Sequence, residues 1–167
     1  MQTFILIHVA ISLVGIFSGF VVLFGMMAGK RLDGWTALFL AATVATSVTG
    51  FCFFPFDGFT PAQTFGILSV VLLALAIYGR YSRRLAGGWR KVYVITAVAS
   101  LYLNVFVGIV QSFEKIPFLH ALAPKQNEPP FFIAQGIALV LFIAAGVFAV
   151  KGFRDDSLQP AGPGFVS

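Results

Sequence analysis

Residues 4–27 read FILIHVAISLVGIFSGFVVLFGMM, and this stretch contains a single titratable side chain, that of His8. A helix of this length and apolarity can span the hydrocarbon core of a bilayer. At 100° per residue, His8, Ser12, Gly15 and Gly19 lie within an arc of about 60°. Gly15 and Gly19 form a GxxxG step, at which a second helix can approach the backbone closely. We therefore predict that this small, polar face packs inward and that other helices cover it.

The composition of the whole chain is that of an integral membrane protein. Of its 167 residues, 59% are hydrophobic and 10% are charged, and the mean hydropathy is +0.94. Soluble domains contain about 25% charged residues, so a chain this apolar would not stay dissolved. The net charge of +5 would suit a nucleic acid, but the basic residues fall in loops on one side of the membrane, which is a topology signal. We therefore expect membrane lipid around the chain and no nucleic-acid partner.

Five apolar segments separated by short polar breaks predict an all-α bundle of five transmembrane helices, forming one domain over residues 1–154. The segments are residues 4–27, 35–54, 63–81, 91–113 and 129–151. Between the last two, residues 117–124 predict a short helix opened and stopped by prolines, lying on the bilayer surface or over the helix ends. Residues 155–167 contain two Pro, two Gly and two Ser and are expected to form a mobile cytoplasmic tail.

The distribution of Lys and Arg predicts the orientation of the bundle. With five spans, one side receives nine basic residues and the other receives only Lys115 and Lys125. Cytoplasmic loops carry the excess of Lys and Arg, so the N-terminus is predicted outside and the C-terminus in the cytoplasm. The nine are Lys30, Arg31, Arg80, Arg83, Arg84, Arg90, Lys91, Lys151 and Arg154.

Polar and small residues form stripes on several predicted helices. Hydroxyls and small side chains on inward faces are what helix packing in lipid uses, so packing is our first interpretation. The alternative is a polar path for a solute. The amide of Asn104 must find partners at membrane depth, and we expect it to bond to the first or second helix. The stripe residues are Ser12, Gly15 and Gly19 on the first helix, Thr43 and Ser47 on the second, Ser100, Asn104 and Gln111 on the fourth, and Gln135 on the fifth.

The two histidines of the chain, His8 and His120, are both predicted at the outer side and could jointly hold a haem or a metal ion. Two axial imidazoles are what a b-type haem uses. The simpler interpretation is that His8 bonds a neighbouring hydroxyl or carbonyl and that His120 is a solvated loop residue, so we expect no cofactor. Cys52 is predicted opposite the Thr/Ser stripe of its helix, as a small apolar filler, and no set of metal ligands is predicted.

Two stretches resemble a group of small bacterial integral membrane proteins that have no assigned activity. One is GKRLDGWTALFL at residues 29–40, continuing through Thr43 to Phe56. The other combines LHALAP at residues 119–124 with EPPF at residues 128–131. The resemblance implies a multi-pass protein of the bacterial inner membrane. It implies no activity, so no functional residue is transferred.

The sequence favours a non-enzymatic membrane protein, either an accessory subunit of a membrane complex or a homo-oligomer. The reasons are its small size, the GxxxG face, and the lack of a Ser-His-Asp set, an HExxH motif, a phosphate loop or acidic residues within the predicted spans. A haem- or metal-binding redox protein using His8 and His120 is the second hypothesis. A carrier of a small neutral or lipophilic solute is the third.

The predicted orientation can be tested with reporter fusions. A reporter active only in the cytoplasm should be active when fused after Arg84 and inactive when fused after Lys125. The positive-inside rule places the loop that contains Arg84 in the cytoplasm and the loop that contains Lys125 outside. Activity of the fusion after Lys125 would show that the orientation is wrong.

Overall fold

A computed structural model describes residues 2–51 and 61–153, and within these ranges every regular element is helical. Five of the helices are long and apolar enough to cross a membrane, which confirms an all-α bundle of five candidate spans. The predicted tail and Cys52 lie outside the described residues. The elements are α1 (Gln2–Met27), α2 (Asp33–Phe51), α3 (Pro61–Ile77) extended by a π-helical turn (Tyr78–Ser82), α4 (Trp89–Lys115), the short α5 (Pro117–Leu122) and α6 (Pro129–Gly152).

Of the five long helices, α1 and α4 form a central pair, and α2, α3 and α6 pack around it. Neighbours follow the order α1, α2, α3, α4 and α6 around the bundle, with α6 returning to α1. Helices α1 and α4 also touch each other across the middle, so α3 and α6 lie on different flanks of α4. In the third segment the polar stripe is reduced to Ser69, which predicts the most lipid-exposed of the five spans, and this prediction is wrong. The buried share of the span is 28% for α3, against 22% for α1 and 17% for α6.

Two glycines set the distance between α1 and its neighbours. A Cβ atom placed on Gly15 would lie 3.3 Å from Thr43 Oγ1 of α2. One placed on Gly19 would lie 2.5 Å from Leu101 Cδ1 and 2.9 Å from the ring of Phe39. Both of these side chains are almost completely buried, so they have little space into which to move. The GxxxG step therefore receives side chains of α2 and α4 within the protomer.

Between these glycines and the C-terminal ends of α1 and α6, large apolar side chains fill the bundle. Phe20 of α1, Tyr102 of α4 and Phe142 of α6 form a group of aromatic contacts with ring centroids 5.6–5.8 Å apart. At the same end, Gly152 directly abuts the backbone carbonyl of Met27. We call this the basic end, because the chain leaves it through Lys30 and Arg31. The opposite end, which carries α5, we call the α5 end.

The packing at Gly19 leads to a stability prediction. Gly19→Ala should lower the melting temperature of the protein in detergent, because overpacking a tight contact costs about 1–3 kcal/mol. Gly136→Ala is the matched control, since Gly136 lies inside α6 with nothing within 4 Å of its added Cβ. Alanine has the higher helix propensity, so the control should melt no lower than the wild type. Equal melting temperatures for the two variants would contradict the proposed close packing.

Candidate functional site

At the α5 end, His8 joins α1 to α2. Its Nδ1 lies 2.7 Å from Thr49 Oγ1, and its Cε1 faces the position that a Cβ on Gly50 would occupy. The Thr49 hydroxyl donates its proton to the backbone carbonyl of Ala45, at 2.7 Å. A hydroxyl has one proton, so Nδ1 of His8 must be the donor to Thr49, which places the lone pair of the neutral ring on Nε2. The imidazole therefore serves as a helix-to-helix donor.

Near the middle of the bundle, Thr43 lies between α1 and α4. It is fully buried, and its hydroxyl faces Gly15 on one side. Asn104 Nδ2 of α4 donates to Thr43 Oγ1 at 3.3 Å from the other side. The amide that the sequence analysis expected to bond across the bundle does so with α2. Because lipid offers no hydrogen-bond partners, this contact satisfies two polar groups that would otherwise be costly.

The other stripe residues bond locally or to the adjacent helix. The Ser47 and Ser69 hydroxyls form a buried 3.2 Å hydrogen bond between α2 and α3. Gln135 of α6 donates through Nε2 to the carbonyl of Phe106 on α4, at 3.2 Å. Ser12 and Ser100 donate to carbonyls one turn earlier in their own helices, those of His8 and Thr96. These bonds occupy the hydroxyls and the amide donor that a polar path would have to offer.

Gln111 does not belong to the inward stripe. Its side chain is exposed, which corrects the prediction from the helical arc. It lies one turn beyond Gly108, whose added Cβ would still contact Ile16 of α1 at 3.7 Å. At this height α4 approaches its end, so the amide can bond water or lipid headgroups and needs no partner inside the bundle.

His120 lies on α5, whose main contacts are with α4. The α5 helix docks through Leu119 against a small buried cluster that contains Phe113 and Phe131. Its Phe118 side chain is 71% exposed, and His120 is also exposed. His8, by contrast, is directed toward α2. Within the described ranges no cluster of three or more His, Cys, Asp or Glu could hold a metal ion.

A buried cation at the basic end was not foreseen from the sequence. Arg80 lies at the cytoplasmic end of the predicted third segment, where a solvated side chain is expected, but the π-helical turn that extends α3 carries it inward, and its side chain is 5% exposed. Its Nη2 pairs with Asp33 at the start of α2, while its guanidinium lies 5.1 Å from the ring centroid of Tyr93 on α4. The Tyr93 hydroxyl is buried without a hydrogen bond of normal geometry, although Thr36 and Arg80 lie close to it. Arg80 thus connects three helices.

A small-residue face on α2 was also missed, although its spacing is visible in the sequence. Ala37, Ala41 and Ala45 recur every fourth residue, and the first two are exposed. Of these, Ala41 and Ala45 border, together with α1, a depression of about 390 Å³ whose walls are Ala10, Ile11, Val14, Leu38, Ala41, Ala42 and Ala45. We call this the α1/α2 groove. The small-xxx-small pattern that could have revealed it is the same one that marked Gly15 and Gly19.

A second depression, the α4/α6 groove, has a volume of about 490 Å³. Its walls are bulkier than those of the α1/α2 groove and almost wholly apolar, and Lys151 stands at its end.

No protein-family model, curated protein or solved structure matches this chain.

The ion pair at the basic end predicts an asymmetry between two substitutions. Asp33→Asn should destabilise the protein by about 1.5–3 kcal/mol, because it weakens a charged hydrogen bond to a buried guanidinium. Arg80→Met should cost less, because it removes the buried charge and Asp33, whose side chain is 82% exposed, stays hydrated. Thermal unfolding in detergent measures both. A larger loss for Arg80→Met would show that the packing of the arginine stem and its ring contacts outweigh the charge.

Proposed function

We propose that this chain is a non-enzymatic integral membrane protein of the bacterial inner membrane that acts as a subunit of a larger assembly. In this proposal the N-terminus is outside, the C-terminus is cytoplasmic, and the partner is either another copy of the chain or another membrane subunit. The nine-to-two distribution of basic residues supports the orientation.

The observation that carries the proposal is the α1/α2 groove. Lipid-facing helices gain no hydrophobic free energy by pairing with one another, so association depends on close van der Waals packing between small residues. Ala41 and Ala45 provide such a surface on the outside of α2, with Ala10 of α1 beside them. The GxxxG step of α1 is already occupied by α2 and α4. An assembly would therefore use the alanine face, where the small side chains let another transmembrane helix approach α2.

The contacts inside the bundle favour this role over the two alternative hypotheses. The hydroxyls and the amide donor of the stripes bond to one another or to backbone carbonyls, which supports packing rather than a solute path. His8 donates to Thr49 and packs on Gly50, which gives the imidazole a structural role at the contact between α1 and α2. The interior is thus organised to hold helices together.

The proposal predicts that one enlarged side chain will dissociate the assembly. In mild detergent, the wild-type protein should have a mass greater than that of one chain, or should contain a second polypeptide in fixed stoichiometry. Ala41→Leu should shift it to the monomer, because the leucine fills the groove that the partner helix needs. Native mass spectrometry and light scattering after gel filtration measure both outcomes.

Ala144→Leu is the matched control, because Ala144 is also exposed but lies on α6. This variant should keep the wild-type mass. A monomeric wild-type protein, or an Ala41→Leu variant that keeps its partner, would show that the proposal is wrong. Dissociation by both variants would show that the partner does not use the α1/α2 groove specifically.

A further inference from the structure

The α4/α6 groove combines an apolar trough with a cluster of cations at one end. Val98 and Tyr102 of α4 form one wall, and Ile143, Gly146 and Val147 of α6 form the other. At Gly146 the two helices approach each other, since a Cβ added there would be in van der Waals contact with Val98 at 3.5 Å. The groove is open to the surroundings of the bundle along its length. Such a surface excludes polar ligands but accepts a flexible hydrocarbon chain.

The length of the groove matches one leaflet of a bilayer. Between Leu139 and Lys151, which both line it, α6 rises about 18 Å at ~1.5 Å per residue. Half of the hydrocarbon core is about 15 Å thick. The groove therefore runs from the basic end of the bundle approximately to the middle of the membrane, which is the depth that an acyl chain of that leaflet occupies.

Basic side chains from both helices meet at the basic end of this groove. Lys151 lies one turn beyond Val147 and lines the groove itself. Lys91 is exposed and lies one turn before Ile95, so it shares the face of α4 that carries Ile95, Val98 and Tyr102. The guanidinium of Arg90 is also held there, because its Nη1 donates to the carbonyl of Val150 at 3.2 Å. Three positive charges thus surround the position at which a headgroup would sit.

We propose that the α4/α6 groove binds one anionic phospholipid of the leaflet at the basic end, with an acyl chain in the groove and its phosphate between Lys91 and Lys151. Charge complementarity selects the anionic headgroup, since basic residues at a membrane surface attract anionic lipid. The bulky walls favour an acyl chain over a partner helix. Ile143 and Val147 are about half exposed, and their side chains keep a second backbone away from α6 in a way that the alanines of the α1/α2 groove do not.

The test compares two phospholipids with identical acyl chains, phosphatidylglycerol and phosphatidylcholine, added to the delipidated full-length protein in mild detergent. Native mass spectrometry counts the bound lipids, and a titration gives their affinities. We expect one phosphatidylglycerol per chain, bound more tightly than phosphatidylcholine. Equal affinity for the two lipids would overturn the proposal, because the cations would then have no part in binding.

Two sets of variants locate the site. Lys91→Gln combined with Lys151→Gln should weaken phosphatidylglycerol binding about 30-fold, since each basic residue near an anionic surface contributes about 1 kcal/mol and 1.4 kcal/mol is a factor of ten. The control, Arg31→Gln combined with Arg84→Gln, removes the same charge at the same end of the bundle. Arg84 follows α3, on the other flank of α4 from the groove. A similar loss in the two double variants would overturn the proposal, because it would show only nonspecific charge attraction.

Gly146→Leu tests the acyl-chain position. The new side chain should occupy the groove and weaken the binding of both lipids, and Lys91 and Lys151 remain available in this variant. If it does not fold, the lysine variants decide alone, because both lysines are exposed. Undiminished lipid binding by a folded Gly146→Leu protein would overturn the proposed location.

Loss of a bound polypeptide or second copy, with lipid binding unchanged, would show that a protein occupies the groove. This proposal is independent of assembly through the α1/α2 groove, since Ala41→Leu leaves the lipid site intact.

Discussion

The bundle depends on the close approach of α2 and α4 to the backbone of α1 at Gly15 and Gly19. Within lipid, helices do not associate to escape solvent, so the free energy of packing must come from contact distance and from internal hydrogen bonds. Gly15 admits Thr43 to the centre of the bundle, and Gly19 admits Phe39 and Leu101. The hydrogen bond from Asn104 to Thr43 then connects α4 to the same point. A larger side chain at either glycine would separate the groups that these bonds require.

Because of this arrangement, many polar side chains of the described spans are engaged in hydrogen bonds inside the bundle. Each hydroxyl or amide at membrane depth needs a partner, and in the described part of the chain the stripes mostly supply partners to one another or to the preceding helical turn. The His8–Thr49 and Ser47–Ser69 contacts close the α1/α2 and α2/α3 interfaces. Polar side chains used in this way increase the rigidity of the bundle. The two grooves, in contrast, lie on the outer, apolar surface of the bundle.

Much of the fold could be predicted from the sequence, because apolar length and prolines fix the spans and the α5 turn. The inner face of α1 also followed, since His8, Ser12, Gly15 and Gly19 share one narrow arc. Gln111 was placed wrongly because a helical arc gives the direction in which a side chain points but not its position along the helix axis. Near the end of α4 the same direction no longer leads to the interior of the bundle. Arg80 was missed for a different reason. Its burial depends on a π-helical turn and on Asp33 and Tyr93 from two other helices, and local spacing contains no information about such distant partners.

The two grooves differ in the one property that decides what each can bind. At the α1/α2 groove four of the seven lining residues are alanines, so another helix can approach the backbone of α2 closely there. At the α4/α6 groove the side chains are large and branched, so the trough is narrow, and Lys151 stands at its end. A partner helix there would have to desolvate that ammonium group, which is costly without a counter-ion. The phosphate of an anionic lipid would itself be the counter-ion of the Lys151 ammonium group. The same bundle can therefore keep one flank for protein and another for lipid without any change in its interior.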